Sequence, residues 1–214
     1  MFSQAIFRNS CSPVFIINQQ ASSFNMSKGK IIILSGPSGS GKTTIHDRLL
    51  KSAAMSNRLV RSVSTTTRDP RRGEQNGRDY FFVSRRMFEY KIRAGHFLEW
   101  AKVFTDYYGT PARPVRDLLK TGKSVLLCID VQGARQVMAK APEAVGIFIQ
   151  APSMAELKSR LVHRGTETPE AVAVRLTAAQ KEMRQAAQYD YVVVNDDLSR
   201  ALRQVRTILG GVLV

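Results

Sequence analysis

The sequence predicts an α/β fold: a parallel sheet covered on both faces by helices, carrying a small β-rich insertion and a helical arm. Three observations predict it. Short, continuous apolar runs such as "KIIILS" (Lys30 to Ser35) and "KSVLLCIDV" (Lys123 to Val131) alternate with longer amphipathic stretches. That is the pattern of strands buried on both faces and joined by helical crossovers. A glycine-rich loop joins the first apolar run to a helix. From Val60 to about Pro111 the texture shifts to β-branched and aromatic residues.

In chain order, "KIIILS" reads as a buried parallel strand. "KTTIHDRLLKSA" follows as a helix with Ile45, Leu49 and Leu50 on one side. "VRSVSTTTRDP" and "RDYFFVS" read as strands, separated by the loop "DPRRGEQNGRDY". "RRMFEYKIRAG" is a short helix stopped by Gly95, and "PVRDLLKTG" another with a glycine stop. "KSVLLCIDV", "AVGIFIQAP" and "YDYVVVND" are further apolar strands, with the helix "GARQVMAKAPE" between the first two. "SMAELKSRLVHRGTETPEAVAVRLTAAQKEMRQAAQ" is a helical pair broken by "RGTETP", and "LSRALRQVRTILGG" closes the chain as a helix. The expected organisation is an extension over 1–29, a core built from 30–59, 112–152 and 181–214, an insertion over 60–111 and a lid over 153–180.

The 214 residues suit one compact domain with small insertions. The formal net charge of +15 points to polyanionic partners. No groove-reading nucleic-acid motif and no platform of interleaved aromatic and basic residues accompanies it, so nucleic acid is not the expected partner. No apolar run approaches the length of a membrane span. Cys11 and Cys128 make neither a disulfide framework nor a metal cluster, which fits a reducing, cytoplasmic setting. Residues 1–29 lack acidic side chains and are rich in Ser, Asn and Gln, with Arg8 and Lys28 as the basic residues. They read as a flexible tail or a start assigned upstream of Met26; a mitochondrial presequence is the alternative.

The loop Gly36-Pro37-Ser38-Gly39-Ser40-Gly41-Lys42-Thr43, followed by Thr44, fits G-x-x-x-x-G-K-[ST] between a strand and a helix. Glycines let successive backbone N–H groups converge on an anion, and the helix start adds its positive end. Lys42 is placed to reach the β- and γ-phosphates of a nucleoside triphosphate, and Thr43 to offer its hydroxyl to Mg²⁺. A second phosphate site is suggested by "SVSTTTRDPRRGEQNGRDYFF" (Ser62 to Phe82), which places Arg68, Arg71, Arg72 and Arg78 on one loop with Tyr80. Arginines fork onto phosphate oxygens. For Arg72 and Arg78 a solvated basic loop is the competing reading.

The segments "SGPSGSGKTT", "SVSTTTRDPRRGEQNGRDY", "FLEWAKVFTDYYGT", "IDVQGA", "RGTETPEAVAVRL" and "VVVNDDL" occur in this order. Together they closely resemble the guanylate kinase family from about Lys30 to the end. The resemblance implies a P-loop nucleoside monophosphate kinase-like fold. It also implies transfer of the γ-phosphoryl group of ATP, with Mg²⁺, to GMP and also dGMP, giving GDP and ADP in purine metabolism. It places Arg68, Arg71, Tyr80 and Tyr108 on the GMP phosphate, Ser64, Glu99 and Thr110 on guanine, and Asp130 beside the acceptor. Arg164 and Arg175 become lid arginines that join Lys42 and Arg71 in catalysis, and Asn195 and Asp196 become adenine-side contacts. For the last two, a turn after a strand is the competing reading. The chemistry is consistent: a carboxylate can accept from guanine N1–H and N2–H, and a hydroxyl can donate to O6.

One departure stands out. The family usually has D-I-D where this chain has Cys128-Ile129-Asp130; Asp130 can still serve, but Cys128 supplies no comparable charge. Three rival readings remain: a guanylate-kinase-like scaffold domain that binds phosphorylated peptides, a kinase for another phosphorylated acceptor such as a sugar phosphate, and a nucleic-acid binder. Scaffold domains of this type usually lack the intact phosphate loop or the lid arginines, and Lys42, Thr43, Arg164 and Arg175 are all present. The expected state is a monomer or weak oligomer without a membrane anchor.

Overall fold

A computed structural model describes residues 29–163 and 168–213, together with the backbone of residues 15–16. Expectations that rest on Cys11, Met26, Lys28 or Arg164 lie outside the described residues. The strands are β1 (Phe15–Ile16), β2 (Ile31–Ser35), β3 (Leu59–Arg61), β4 (Thr65–Thr66), β5 (Phe81–Phe82), β6 (Phe97–Val103), β7 (Asp106–Pro111), β8 (Ser124–Cys128), β9 (Val145–Gln150) and β10 (Tyr191–Val194). The helices are α1 (Lys42–Leu50), α2 (Ala53–Ser56), α3 (Arg85–Arg93), α4 (Ala112–Lys120), α5 (Val131–Lys140), α6 (Met154–His163), α7 (Pro169–Met183) and α8 (Leu198–Val212).

The larger sheet has the order β1-β10-β9-β2-β8-β3. Its inner pairings are parallel, and β1 adds antiparallel to β10 within the stretch expected to be an extension. Strand β2 is central, and its alternation divides the core. Ile31 and Ile33 pack with Val115, Val131, Ala134 and Val137 from α4 and α5. Ile32 and Leu34 face the other way, against Ile45 and Leu49 of α1 and Ala201, Val205 and Leu209 of α8. A sheet buried on both faces needs apolar residues at every position of its central strand, as "IIIL" supplies.

The second sheet has the order β5-β4-β7-β6. It contains the hairpin β6–β7, which the sequence reading did not resolve into strands. The segment "VRSVSTTTRDP", read as one strand, is divided: β3 pairs with β8 in the large sheet, and β4 pairs with β5 and β7 in the small one. Val60 and Arg61 therefore belong to the large sheet, although the change of texture had placed them in the insertion. An aromatic stack holds the small sheet to α3: Phe88 lies 4.5 Å from Phe97 and 5.3 Å from Tyr107, between ring centroids.

The helical arm is α6 and α7, whose shared core is Leu157, Leu161, Val172 and Ala179 with Ala151. Pro169 starts α7 rather than merely interrupting a helix: it occupies the first helical turn, where its missing N–H costs nothing, and Thr168 caps the end by accepting from Ala171 N–H. The loops after β2, β8 and β10 all lie at the carboxyl edge of the parallel strands, where ligands bind in sheets of this kind.

Candidate active site

The phosphate loop leaves β2 at Gly36 and enters α1 at Lys42. Its glycines are required by space as well as by φ. A Cβ on Gly36 (φ 134°) would stand 2.0 Å from the Ile149 carbonyl oxygen, and one on Gly41 (φ 93°) would stand 2.2 Å from Asn195 Nδ2. Gly41 is the N-cap of α1, no side chain caps that end, and no acidic residue lies in the first turn. The N–H groups and the positive end of the helix dipole therefore remain for an anion. Lys42 Nζ donates to the Gly36 and Pro37 carbonyls at 2.6 and 2.8 Å, lying back over the loop. Ser40 is fully buried, while Thr43 and Thr44 are exposed at the start of α1.

Asn195 is 5% exposed, and its Nδ2 donates to the Ser40 carbonyl at 2.8 Å. The Asn195 backbone N–H donates to Gln150, and its carbonyl accepts from Arg160 Nη2, whose Nε is in turn held by Glu156. Through one amide N–H, Asn195 thus ties the back of the phosphate loop to the end of β10. Asp196 is exposed and pairs with Arg200, one turn into α8. Arg160, which the sequence left without a role, is part of this brace.

Across the cleft, β6 turns Phe97, Glu99 and Ala101 to its buried face. Glu99 is 3% exposed, and its Oε1 accepts from Thr110 Oγ1 at 2.5 Å across the β6–β7 pair. Burial pushes the Glu99 carboxyl up to about 7; the Thr110 hydroxyl opposes the shift and Asp130 adds to it. A Cβ on Gly133 would meet Glu99 Oε2 at 2.4 Å and Asp130 Oδ1 at 3.4 Å, so both carboxyls converge on this glycine. Asp130 caps α5 by accepting from Gly133 N–H at 2.8 Å. Burial raises its pKa, and Lys42 pulls it back down. Asp130 thus stands beside the Glu99 carboxyl at Gly133, at the start of α5.

Arg68 stacks over Tyr80 and Phe82, at 5.6 and 5.8 Å from their centroids, and forks onto Glu74 at 2.9 and 3.0 Å. Tyr108 lies 6.1 Å from Tyr80, between ring centroids. Arg68, Tyr80 and Tyr108 are therefore together. Glu74, which the sequence reading missed, holds Arg68 in place; its carboxyl is lowered below the usual range chiefly by that hydrogen bond. Ser64 lies in the link between β3 and β4, and its carbonyl accepts from Phe81 N–H. The Arg71 side chain is exposed, and only its backbone N–H joins the group, through Glu74. Arg72 is exposed, and Arg78 is exposed and paired with Asp79, which matches the solvated reading for both.

From α7, Arg175 Nη1 reaches Ser38 Oγ at 3.4 Å, and its guanidinium lies 5.2 Å from the Phe104 ring at the tip of the β6–β7 hairpin. It spans both sides of the cleft. Glu182, which the sequence did not disclose, is half-buried on the same helix; burial raises its carboxyl pKa and Lys42 pulls it back down. A glutamate on an amphipathic helix gives no signal of this kind.

For a magnesium ion, the exposed Thr43 hydroxyl and the Asp130 carboxyl are hard oxygen donors of the right type. Cys128 ends β8, two residues before Asp130: burial raises its thiol pKa, and the charge of Lys42 pulls it down. A neutral thiol suits a hard cation poorly, so the fit rests on oxygen. Among the described residues, no three of His, Cys, Asp and Glu gather into a metal site.

The structure thus combines an uncapped helix start after the glycine-rich loop, a separate group of Arg68, Tyr80 and Tyr108, and a buried carboxyl–hydroxyl pair. The family model described as Guanylate kinase matches residues 28–211. The chain belongs to the guanylate kinase family. It is 47% identical over 186 residues to the guanylate kinase of Clostridium tetani, which covers 87% of this chain and 88% of that protein. It is 48% identical to the guanylate kinase of Rubrobacter xylanophilus, over 87% of this chain and 98% of that one. The crystal structure of guanylate kinase from Anaplasma phagocytophilum superposes with a TM-score of 0.72 at 36% identity, over 88% of each chain. The guanylate kinase relatives span the core, the small sheet and the helical arm alike.

Proposed function

We propose that the chain transfers the γ-phosphoryl group of ATP to the phosphate of GMP, and of dGMP, giving ADP and GDP. The observation that carries this reading is the buried Glu99–Thr110 pair, converging with Asp130 on Gly133, in a chain whose phosphate loop leads into an uncapped helix start. In its ionised form Glu99 accepts from guanine N1–H and N2–H, and Thr110 and Ser64 provide hydroxyls for the remaining edge. Arg68, Tyr80 and Tyr108 hold the acceptor phosphate, with Arg71 joining from the exposed loop. Lys42 and the loop N–H groups hold the β- and γ-phosphates, and Thr43 is the protein's ligand to magnesium. That ion would neutralise charge on the donor phosphates.

An acceptor phosphate oxygen attacks the γ-phosphorus as the bond to the β-bridging oxygen breaks. The acceptor is already anionic, so no general base is needed. Lys42, Arg175 and Arg164 meet the charge on the transferred group. In these terms 62–111 is the GMP-binding part, 153–180 the lid, and the remainder of 30–214, with Val60 and Arg61 of β3, the core. We further propose a cytoplasmic monomer or weak oligomer. No helix among the described residues is long and apolar enough to cross a membrane.

The test is ADP release with GMP, dGMP, AMP and IMP as acceptors. GMP and dGMP should turn over. AMP, which offers neither guanine donor, should fall by about 10⁴-fold in kcat/KM. Equal rates with AMP and GMP would overturn the reading. In the same assay Arg175→Ala should slow single-turnover phosphoryl transfer by about 10²-fold or more while both nucleotides still bind. A normal single-turnover rate would remove Arg175 from the transfer step.

A further inference from the structure

Strand β6 is the outer strand of the small sheet, so one row of its main-chain N–H and C=O groups has no strand beside it. Helix α5, from the core, covers that row with side chains. Gln136 Nε2 donates to the Trp100 carbonyl at 2.6 Å, and Gln136 Oε1 accepts from the Trp100 N–H at 3.3 Å. A primary amide offers a donor and an acceptor in one plane, so Gln136 meets Trp100 much as a further strand would. One turn on, Lys140 Nζ donates to the Leu98 carbonyl at 2.5 Å. Leu98 and Trp100 are the two chain neighbours of Glu99. The β6–β7 register shifts between Phe97 and Glu99, so the ladder to β7 is irregular where the helix takes hold. Gln136 also follows Gly133 by one turn of α5, and Gly133 is the residue whose missing Cβ leaves room for the Glu99 carboxyl.

We infer that Gln136 is a positioning residue for acceptor recognition: by exchanging two hydrogen bonds with the Trp100 main chain, it fixes the part of β6 that aims the Glu99 carboxyl past Gly133. The inference rests on the reading of Glu99 as the group that accepts from guanine. Gln136 acts through the strand rather than on a nucleotide. Side chains alternate along a strand, so a slip or rotation at Trp100 swings Glu99 off its line and away from Thr110. Lys140 holds the other neighbour, so the carboxylate is pinned from both sides by one helix of the core. Water can satisfy the Trp100 N–H and carbonyl in place of the amide, but it does not fix their direction.

The test uses the full chain with Mg²⁺ and ATP, with GDP formation read against GMP concentration. Gln136→Met, which keeps the length and loses both bonds, should raise the KM for GMP by about tenfold and leave kcat and the KM for ATP within about twofold. In a Glu99→Gln background the same change should add less than about twofold, because the carboxylate that Gln136 aims is already gone. A merely structural role predicts another split: kcat or the KM for ATP worsens as well, and the losses from the two positions multiply. Either of those results, or an unchanged KM for GMP, overturns the inference. If the methionine variant does not fold, Gln136→Ala, a better helix former that admits water to Trp100, decides by the same cycle. The parent is the control. A parent that forms no GDP refutes the acceptor reading and this role with it; a parent that forms GDP while the two losses multiply refutes the role of Gln136 alone.

Discussion

Glu99→Gln should raise the KM for GMP by about 10²-fold or more while leaving the KM for ATP within about twofold. Glutamine keeps the size of the side chain but replaces one acceptor oxygen with an NH₂ that faces a guanine donor. The mismatch is buried, so water cannot relieve it. An equal loss on both nucleotides would remove Glu99 from base reading. The variant should also lose a pH dependence that the parent shows. Burial lifts the Glu99 carboxyl to about 7 from an ordinary 4.5, yet guanine requires the ionised form. Binding below pH 7 must therefore expel a proton, and GMP affinity should fall by about tenfold per pH unit there and level off above it. Stability runs in the opposite direction. A raised carboxyl pKa favours the fold fully below pH 4.5, and that contribution fades as pH rises through about 7, a loss of about 3 kcal/mol. At pH 8 the glutamine variant, which carries no buried charge, should melt above the parent.

Lys42→Ala should lower kcat by about 10²- to 10³-fold, with the KM for GMP changed by less than about threefold. The lysine acts on the donor side, and no Glu99, Thr110 or Arg68 contact depends on it. Its Nζ also ties down the Gly36 and Pro37 carbonyls, so alanine both removes a charge from the transferring group and loosens the loop. Lys42→Arg would not restore the rate, since a planar fork does not replace a compact ammonium lying over two carbonyls. Unchanged turnover in Lys42→Ala would refute the role of the loop in catalysis.

What the sequence disclosed follows from how local each signal is. The phosphate loop is legible because its chemistry lies in consecutive residues and its glycines answer to backbone geometry. The parallel strands are legible because both their faces are buried. The hairpin carrying Glu99 is not. Its buried face includes a carboxylate, and its two-residue turn has Phe104 at φ 57° where glycine or asparagine would have announced a reversal. The division of "VRSVSTTTRDP" between two sheets leaves no mark in a uniformly β-branched run. Asn195-Asp196 looks like any turn, and only the fold shows that Asn195 donates to the Ser40 carbonyl. Glu74 is invisible because it acts on a partner, Arg68, whose importance had to be established first.

The small sheet is one uninterrupted insertion, leaving the large sheet after β3 and rejoining the chain at α4. On the proposed reading, recognition of the acceptor base is encoded in a single stretch of gene, apart from the codons that shape the donor loop. A graft of that stretch from another kinase of this architecture would exchange acceptor preference as a cassette, provided Gly133 of the recipient still leaves room for whatever side chain takes the place of Glu99.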